Sequence, residues 1–189
     1  MVKSIFVPSH KTYNMAVVGS DIKKAKAFLD DNKLVAIPTE TVYGLAGNAT
    51  NLDSVAHIFK VKERPTFDPL IIHTYAFEQL KKYVVNIPVK AEQLANRFWP
   101  GPLTLLLEKK DIIPDLVTAG LDTVAVRIPN HTLTLALLES LDYPLAAPSA
   151  NPFGYISPTS AAHVNQQLGD KIDYILDGNV YNVVLDFLQ

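Results

Sequence analysis

The sequence predicts a single α/β domain, residues 1–189, built on one open, twisted, mixed β-sheet with helices packed on it. The chain has 189 residues, a length that suits one domain. Hydrophobic residues make up 48% of it, which is enough to fill a sizeable core. Short apolar runs typical of strands are mixed with segments of helical periodicity and do not alternate with them strictly. This mixture favours a mixed sheet over a fully parallel one.

Helices in the first half of the chain are predicted from apolar residues at helical spacing that follow capping residues. Ser20-Asp21 caps the first helix, and Asn51 or Asp53 caps the second. Short apolar runs bounded by proline or polar residues predict buried strands between the helices. The predicted helices are residues 22–32, 54–62, 76–83 and 88–99, and the predicted strands are residues 34–37 and 69–73.

The second half of the chain continues this mixture. Residues 103–107 are strongly apolar and predict a central strand. Residues 123–128 alternate between apolar and polar side chains, which places Arg127 opposite the buried face of a strand. Ser157 or Thr159 caps a later helix. The remaining predicted helices are residues 132–141 and 159–168, and the remaining predicted strands are residues 144–147, 174–176 and 183–186.

Composition excludes several functional classes. The chain has no cysteine, so disulfides, thiolate catalysis and cysteine-bound metals are excluded. Its net charge of −2 argues against attraction of the whole molecule to nucleic acid, but allows a basic patch on one face. We find no signal peptide and no run of about 18 apolar residues, and therefore expect a soluble, cytoplasmic protein with no membrane contact. Phosphate-loop, dinucleotide-loop and zinc-protease motifs are absent.

The candidate site begins with two polar segments held in place by proline and glycine. Residues 38–45 offer the hydroxyls of Thr39 and Thr41, although a tight turn is an equally good interpretation. Lys62 and Arg64 follow a predicted helix, and the next residue is a proline that restricts the backbone. Arg64 can direct two N–H groups at a phosphate or carboxylate. The alternative is two solvated cations at a helix C-terminus.

Later segments complete the candidate site. His73 ends an apolar strand, where a buried, hydrogen-bonded histidine is the commoner case. Arg127 needs an anion, which a ligand, Asp122 or another structural carboxylate could supply. Small polar groups around Ser149 and Asn151 follow a strand and could bind an anion or a nucleotide. The alternative interpretation is a capped loop with no ligand. The remaining candidate residues are Thr104, Thr118 and Ser157. Together, these segments predict an enzyme site that binds a phosphate or carboxylate.

Five segments follow one another along the chain: PTETVYGL, K-x-R-P-x-x-x-P-L, WPGPLT, TAGLDTVAVRIP, and APSAN followed by S-P-T. In this order they resemble the YrdC-type threonylcarbamoyl-AMP synthase family. The resemblance extends from about Asp21 to Gly178, which is most of the chain, and it implies an open, twisted α/β sheet with a concave, positively lined face.

The resemblance implies a nucleotidyltransferase that acts in tRNA modification. L-threonine, bicarbonate or CO2, and ATP would give threonylcarbamoyl-AMP and pyrophosphate. A partner complex would then transfer the threonylcarbamoyl group to an adenosine in tRNA, which allows RNA binding by this chain. Mg²⁺ would accompany ATP, held by phosphates and water, so we expect no dedicated protein site for a metal.

The resemblance also implies roles for individual residues. Lys62 and Arg64 would be the catalytic residues and would contact ATP. The residues implied to bind substrate are Thr39, Thr41, His73, Arg127 and Ser157. The further residues implied to bind ATP are Thr104, Thr118, Ser149 and Asn151.

Two departures from the family pattern concern Asp68 and the C-terminal residues. The family commonly has asparagine where this chain has Asp68, and a carboxylate there would have to turn away from the triphosphate or help to hold Mg²⁺. Relatives usually carry G-x-E-S-T and a later arginine after the Asp-Gly pair, and both are absent from Asn179 to Gln189. We therefore expect a short, single-domain form with a divergent C-terminus.

Two alternative functions stand beside the synthase. One is a non-catalytic or altered-substrate relative that binds RNA or a nucleotide on the same face. The other is a different carbamoyl-adenylate chemistry, because similar domains occur inside carbamoyl-transferring enzymes.

Overall fold

The strands form one mixed sheet of eight strands in the computed structural model, which describes residues 15–178. They are β1 (Val17–Gly19), β2 (Val35–Ile37), β3 (Gly44–Asn48), β4 (Ile71–His73), β5 (Leu105–Glu108), β6 (Thr123–Arg127), β7 (Leu145–Ala146) and β8 (Tyr174–Leu176). Their order across the sheet is β1-β8-β2-β3-β7-β4-β6-β5. The pairs β1–β8, β2–β8 and β4–β6 are parallel, and the other pairs are antiparallel. The predicted open, mixed α/β sheet is confirmed.

Between residues 15 and 178, seven α-helices connect the strands. Two of these helices are capped by the residues predicted to cap them. Asp21 accepts hydrogen bonds from the backbone N–H groups of Lys23 and Lys24, and the Asn51 side chain accepts one from Ser54 N. A 3₁₀ turn, Phe77–Gln79, precedes the third helix. The helices are α1 (Ile22–Asp30), α2 (Leu52–Lys62), α3 (Leu80–Tyr83), α4 (Val89–Phe98), α5 (Asp115–Thr118), α6 (Thr132–Glu139) and α7 (Ala161–Leu168). None of the helices within residues 15–178 has the length and hydropathy needed to cross a bilayer.

Alternating side chains of the sheet pack into two cores, one on each face. On β2, Ala36 lies in one cluster of buried residues, whereas Val35 and Ile37 lie in the other. Helices α2, α4, α5 and α7 contribute to the first core. Helices α1 and α6 contribute to the second. The two helical layers therefore cover opposite faces of the sheet.

The second face is left partly open over β6 and β5. On β6, Val124 and Val126 are buried in the first core, whereas Arg127 on the alternate side is only half-buried. On β5, Leu106 is 66% exposed between two buried leucines. Arg127 is the register partner of His73 on the parallel strand β4, so the two side chains leave the sheet on the same side. This open face is where the candidate site lies.

Several predicted elements differ from the structure. Residues 103–107 were expected to form a central strand, but β5 is the edge strand, and an apolar run alone does not distinguish the two positions. Helix α7 is capped by Ser160, whose Oγ accepts from His163 N, instead of by Ser157 or Thr159. Strands β1 and β3 and helix α5 are not predicted from the sequence. The strand predicted at residues 183–186 lies outside the described residues.

Candidate functional site

A cavity of about 140 Å³ on the open face of the sheet brings together five of the predicted site residues. Its wall includes Thr39, Thr41, His73, Arg127 and Ser149. They come from the β2–β3 connection, from β4, from β6 and from the loop after β7. The volume is below the roughly 300 Å³ at which pockets for drug-sized ligands begin, so it suits a small metabolite. Three larger hollows in the described part of the chain, of about 220, 380 and 550 Å³, contain none of these residues.

The β2–β3 connection is held by the hydroxyl of Thr39. This oxygen accepts hydrogen bonds from the N–H groups of Thr41 and Val42, each at 3.2 Å, and donates to Val42 O at 2.7 Å. The hydroxyls of Thr39 and Thr41 are 3.0 Å apart. Thr39 is buried, whereas Thr41 is half-buried. Thr39 therefore shapes the loop, and Thr41 is the more accessible of the two hydroxyls.

Arg127 is held by Glu40, a partner that the sequence analysis did not identify. Arg127 Nη2 donates to Glu40 Oε1 at 2.7 Å and to the Thr41 hydroxyl at 3.1 Å, and Nε donates to Gly101 O at 3.2 Å. The second oxygen of Glu40 accepts from Asn130 N at 2.9 Å. Of the two protein partners predicted for Arg127, Asp122 is wrong, whereas another structural carboxylate is confirmed, since Glu40 occupies that place. The need of a buried arginine for a counterion was the signal available in the sequence, but it did not indicate which carboxylate.

His73 is a neutral imidazole inside the cavity wall. The residue is 3% exposed, and burial lowers its pKa to about 3, with the charge of Arg127 as the second cause. Backbone groups of Leu145 and Ile71 oppose this shift, although Nδ1 has no partner within hydrogen-bonding geometry among residues 15–178. A neutral ring nitrogen can donate or accept a hydrogen bond according to its tautomer. His73 therefore lines the cavity without adding charge to it.

Lys62 ends α2 as a buried cation behind the cavity wall. Its Nζ donates to the backbone oxygens of Ser149 and Asn151, and the residue is 1% exposed. Burial, and after it the charge of Arg64, lower the pKa of Lys62 to about 8, and the charge of Asp68 opposes this shift. The ammonium group thus fixes the loop after β7 and keeps a positive charge close to it.

Arg64 lies beyond the end of α2, which stops at Glu63 in the left-handed conformation. Arg64 Nη2 forms an ion pair with Asp68 Oδ2 at 2.9 Å. The same nitrogen donates to Pro69 O at 3.1 Å, and Nε donates to Asp68 O at 3.2 Å. Asp68 therefore turns towards Arg64, within the loop that carries both.

The remaining predicted residues contribute to the loops or lie away from the cavity. The Asn151 amide donates to the backbone oxygens of Pro152 and Tyr155, so it stabilises the loop after β7. Thr118 is buried and its hydroxyl donates to Asp115 O in its own helix. Thr104 is exposed just before β5, and Ser157 is half-buried. None of these four residues is on the cavity wall within the described part of the chain.

The side chains around the cavity determine which kind of ligand it can bind. Within residues 15–178, no group of three or more histidine, aspartate or glutamate side chains is arranged to hold a metal ion. The cavity offers hydroxyls, a neutral imidazole and a paired guanidinium instead. This arrangement is suited to hydrogen bonding and to charge neutralisation of a small anionic or zwitterionic ligand.

Comparisons with known proteins identify the family. The family model for Sua5/YciO/YrdC, described as telomere recombination, matches residues 27–186. The chain belongs to this family. A relative from Pyrococcus abyssi named threonylcarbamoyl-AMP synthase is 54% identical over 89% of the chain, and one of the same name from Bacillus subtilis is 50% identical over 83%. The family resemblance found in the sequence is therefore confirmed.

A solved structure confirms the fold. The crystal structure of P. abyssi Sua5 complexed with L-threonine superposes with a TM-score of 0.84 at 48% identity, covering 87% of this chain and 51% of that one. The chain spans about half the length of the P. abyssi and B. subtilis relatives, 51% and 46% respectively. A shorter relative of the same name from Halorhodospira halophila is 33% identical, and the match covers 84% of this chain and 83% of that protein.

Proposed function

We propose that this protein is an L-threonylcarbamoyladenylate synthase, a nucleotidyltransferase that forms threonylcarbamoyl-AMP and pyrophosphate from L-threonine, bicarbonate or CO2, and ATP. One observation carries the proposal: four separate parts of the chain meet around one amino-acid-sized cavity, with the buried ammonium of Lys62 bound to its wall. The names of relatives with 33–54% identity support the same activity.

Threonine is the proposed occupant of the cavity. Its carboxylate would meet Arg127, whose contacts with Glu40, Thr41 and Gly101 come from Nε and Nη2. Its hydroxyl or amine would meet the neutral ring of His73 and the hydroxyl of Thr41. The relative solved with L-threonine bound supports this assignment. A cavity of about 140 Å³ leaves the nucleotide outside, next to the loops that carry the two cations.

ATP is proposed to bind with its phosphates near Lys62 and Arg64. The threonine amine would add to CO2 and give a carbamate, whose oxygen attacks the α-phosphorus of ATP while pyrophosphate leaves. The reactants supply the nucleophile, so positioning and charge neutralisation are the main demands on the protein. Ser149 and Asn151 would contribute through the loop that Lys62 fixes, and Thr104, Thr118 and Ser157 stay predictions.

Mg²⁺ and the downstream partners belong to this proposal as well. The ion would be held mainly by phosphates and water. The product would be passed to a complex that transfers the threonylcarbamoyl group to tRNA. Direct RNA binding and a cytoplasmic location stay predictions from the sequence.

The test is release of pyrophosphate from ATP in the presence of Mg²⁺. We expect release only when threonine and bicarbonate are both present, with serine as a control for the amino acid. Release that depends on carbamoyl phosphate would establish the other carbamoyl-adenylate chemistry. Salt-dependent RNA binding with no release under any condition would establish a binding protein and contradict the synthase.

A further inference from the structure

A carboxylate of the protein already contacts one of the guanidinium nitrogens of Arg64 that a phosphate would contact. The three contacts of Arg64 come from Nε and Nη2, and they reach Asp68 Oδ2, Asp68 O and Pro69 O. Two neighbouring guanidinium nitrogens form the edge that binds a carboxylate or phosphate through parallel hydrogen bonds. The carboxylate contacts Nη2 alone, and the other two contacts go to backbone oxygens. An anionic ligand can therefore take the place of the Asp68 carboxylate on Nη2 only after that carboxylate has left it.

Asp68 also offsets the charge of the neighbouring cation. The negative charge of Asp68 opposes the effects of burial and of Arg64 on the Lys62 ammonium. Lys62 itself donates to two backbone carbonyls. The two cations and one carboxylate therefore form a group with a net charge near +1, where the two cations alone would give +2.

The Arg64–Asp68 pair is local and accessible enough to open without disturbing the core. The two residues are four apart in one loop, and the Asp68 side chain is 37% exposed. The backbone of this turn has its own hydrogen bond, from Asp68 N to Pro65 O at 3.2 Å. Ion pairs of this kind contribute little to stability, because water screens them. A ligand that carries several negative charges can therefore displace the carboxylate.

We propose that Asp68 is an internal competitor for the phosphate groups of ATP. Its carboxylate holds Arg64 while the site is empty and must leave the guanidinium when the nucleotide binds. Asp68 thereby lowers the affinity for ATP and pyrophosphate and leaves the affinity for threonine unchanged. This inference rests on the proposed function, since it takes ATP as the ligand of Lys62 and Arg64.

The experiment compares Asp68→Asn with Asp30→Asn in the full chain. Asp30 forms an ion pair of the same spacing and length, 2.9 Å to Lys26, on α1 and has a similar exposure of 44%. Calorimetric titrations measure the dissociation constants for ATP with Mg²⁺, for inorganic pyrophosphate and for threonine. We expect Asp68→Asn to bind ATP and pyrophosphate about fivefold more tightly, the equivalent of about 1 kcal/mol for one charge interaction near 4 Å in water. Asp30→Asn should match the wild type for all three ligands.

The outcomes separate this inference from the proposed function. Unchanged or weaker ATP binding by Asp68→Asn overturns the competitor role, and weaker binding that appears only with Mg²⁺ assigns Asp68 to the metal instead. Asp68→Ser, which keeps an oxygen but no charge, must show the same tightening. If the wild type binds ATP but releases no threonine-dependent pyrophosphate, the synthase function fails while the affinity comparison still decides the role of Asp68. If the wild type binds neither ATP nor pyrophosphate, both are overturned.

Discussion

The two arginines of the candidate site are both paired with carboxylates, but in opposite ways. Arg127 meets Glu40, which is 87 residues away in sequence, and the two side chains are only 12% and 15% exposed. Arg64 meets Asp68, four residues away, and this pair reaches 16% and 37% exposure. Glu40 also accepts a hydrogen bond from Asn130 N, so both of its oxygens are used. The first pair joins distant parts of the fold, whereas the second joins two ends of one loop.

This difference makes Arg127 part of the architecture and leaves Arg64 as the cation that a ligand can reach. The Glu40–Arg127 pair fixes the β2–β3 connection to the end of β6, so the cavity wall depends on it. The Arg64–Asp68 pair can open while the surrounding backbone stays in place. An identical chemical change, from carboxylate to amide, should therefore affect stability at one pair and ligand binding at the other.

The largest stability effect is expected for Glu40→Gln. Arg127 would keep its charge in a largely buried place without a counterion, and breaking such pairs costs about 3 kcal/mol or more. Urea denaturation measures the free energy of unfolding. Glu63→Gln is the matched control, since Glu63 pairs with Lys171 at 2.9 Å but is 73% exposed, and it should leave the unfolding midpoint unchanged. Equal losses in the two variants would show that Glu40 has no special structural role.

Arg64→Ala should abolish threonine-dependent pyrophosphate release and leave the folded structure stable. Loss of one cation that stabilises charge in a transition state lowers rates by roughly 10²–10³. We expect that loss in threonine-dependent pyrophosphate release, with a change in unfolding free energy below about 1 kcal/mol because the pair is local. The control is Arg97→Ala, which removes an exposed arginine in the last turn of α4. A large fall in melting temperature with activity retained would make Arg64 a structural residue.

Local features of this chain were predictable from its sequence because their causes are local. Asp21 and Asn51 cap their helices through backbone groups two or three residues away. The site was predicted only in part: Thr39, Thr41, His73, Arg127 and Ser149 line one cavity. The other predicted site residues are not on its wall; they are Lys62, Arg64, Thr104, Thr118, Asn151 and Ser157. Their individual roles stay predictions.

Features that depend on distant contacts could not be predicted in this way. Strand β3 contains two glycines and no β-branched residue, so its sequence resembles a loop. A side chain at Gly47 would meet Ser54 Oγ at 2.6 Å, which shows that close packing of α2 requires the glycine. The pairing of Arg127 with Glu40 has the same origin, because a separation of 87 residues leaves no local pattern.

Lys62 should make stability depend on pH in a defined direction. Burial lowers its pKa to about 8, whereas an unfolded lysine titrates near 10.4. Between these values the unfolded state binds more protons, so the native state becomes more stable as pH rises. Relative to Lys62→Met, the wild type should gain about 2 kcal/mol between pH 7.5 and 10, measured by urea denaturation of both proteins. A difference that does not vary with pH would mean that the ammonium is well solvated.

The smallest stability effect is expected for Asp68→Asn, the same change that is severe at Glu40. Arg64 keeps its hydrogen bonds to the backbone oxygens of Asp68 and Pro69, and water can reach the guanidinium. Pairs of this exposure and spacing contribute about 0.5 kcal/mol. The urea midpoint should therefore stay close to that of the wild type. A loss comparable with that of Glu40→Gln would show that the two pairs are equally structural, and the distinction between a fixed and a releasable cation would fail.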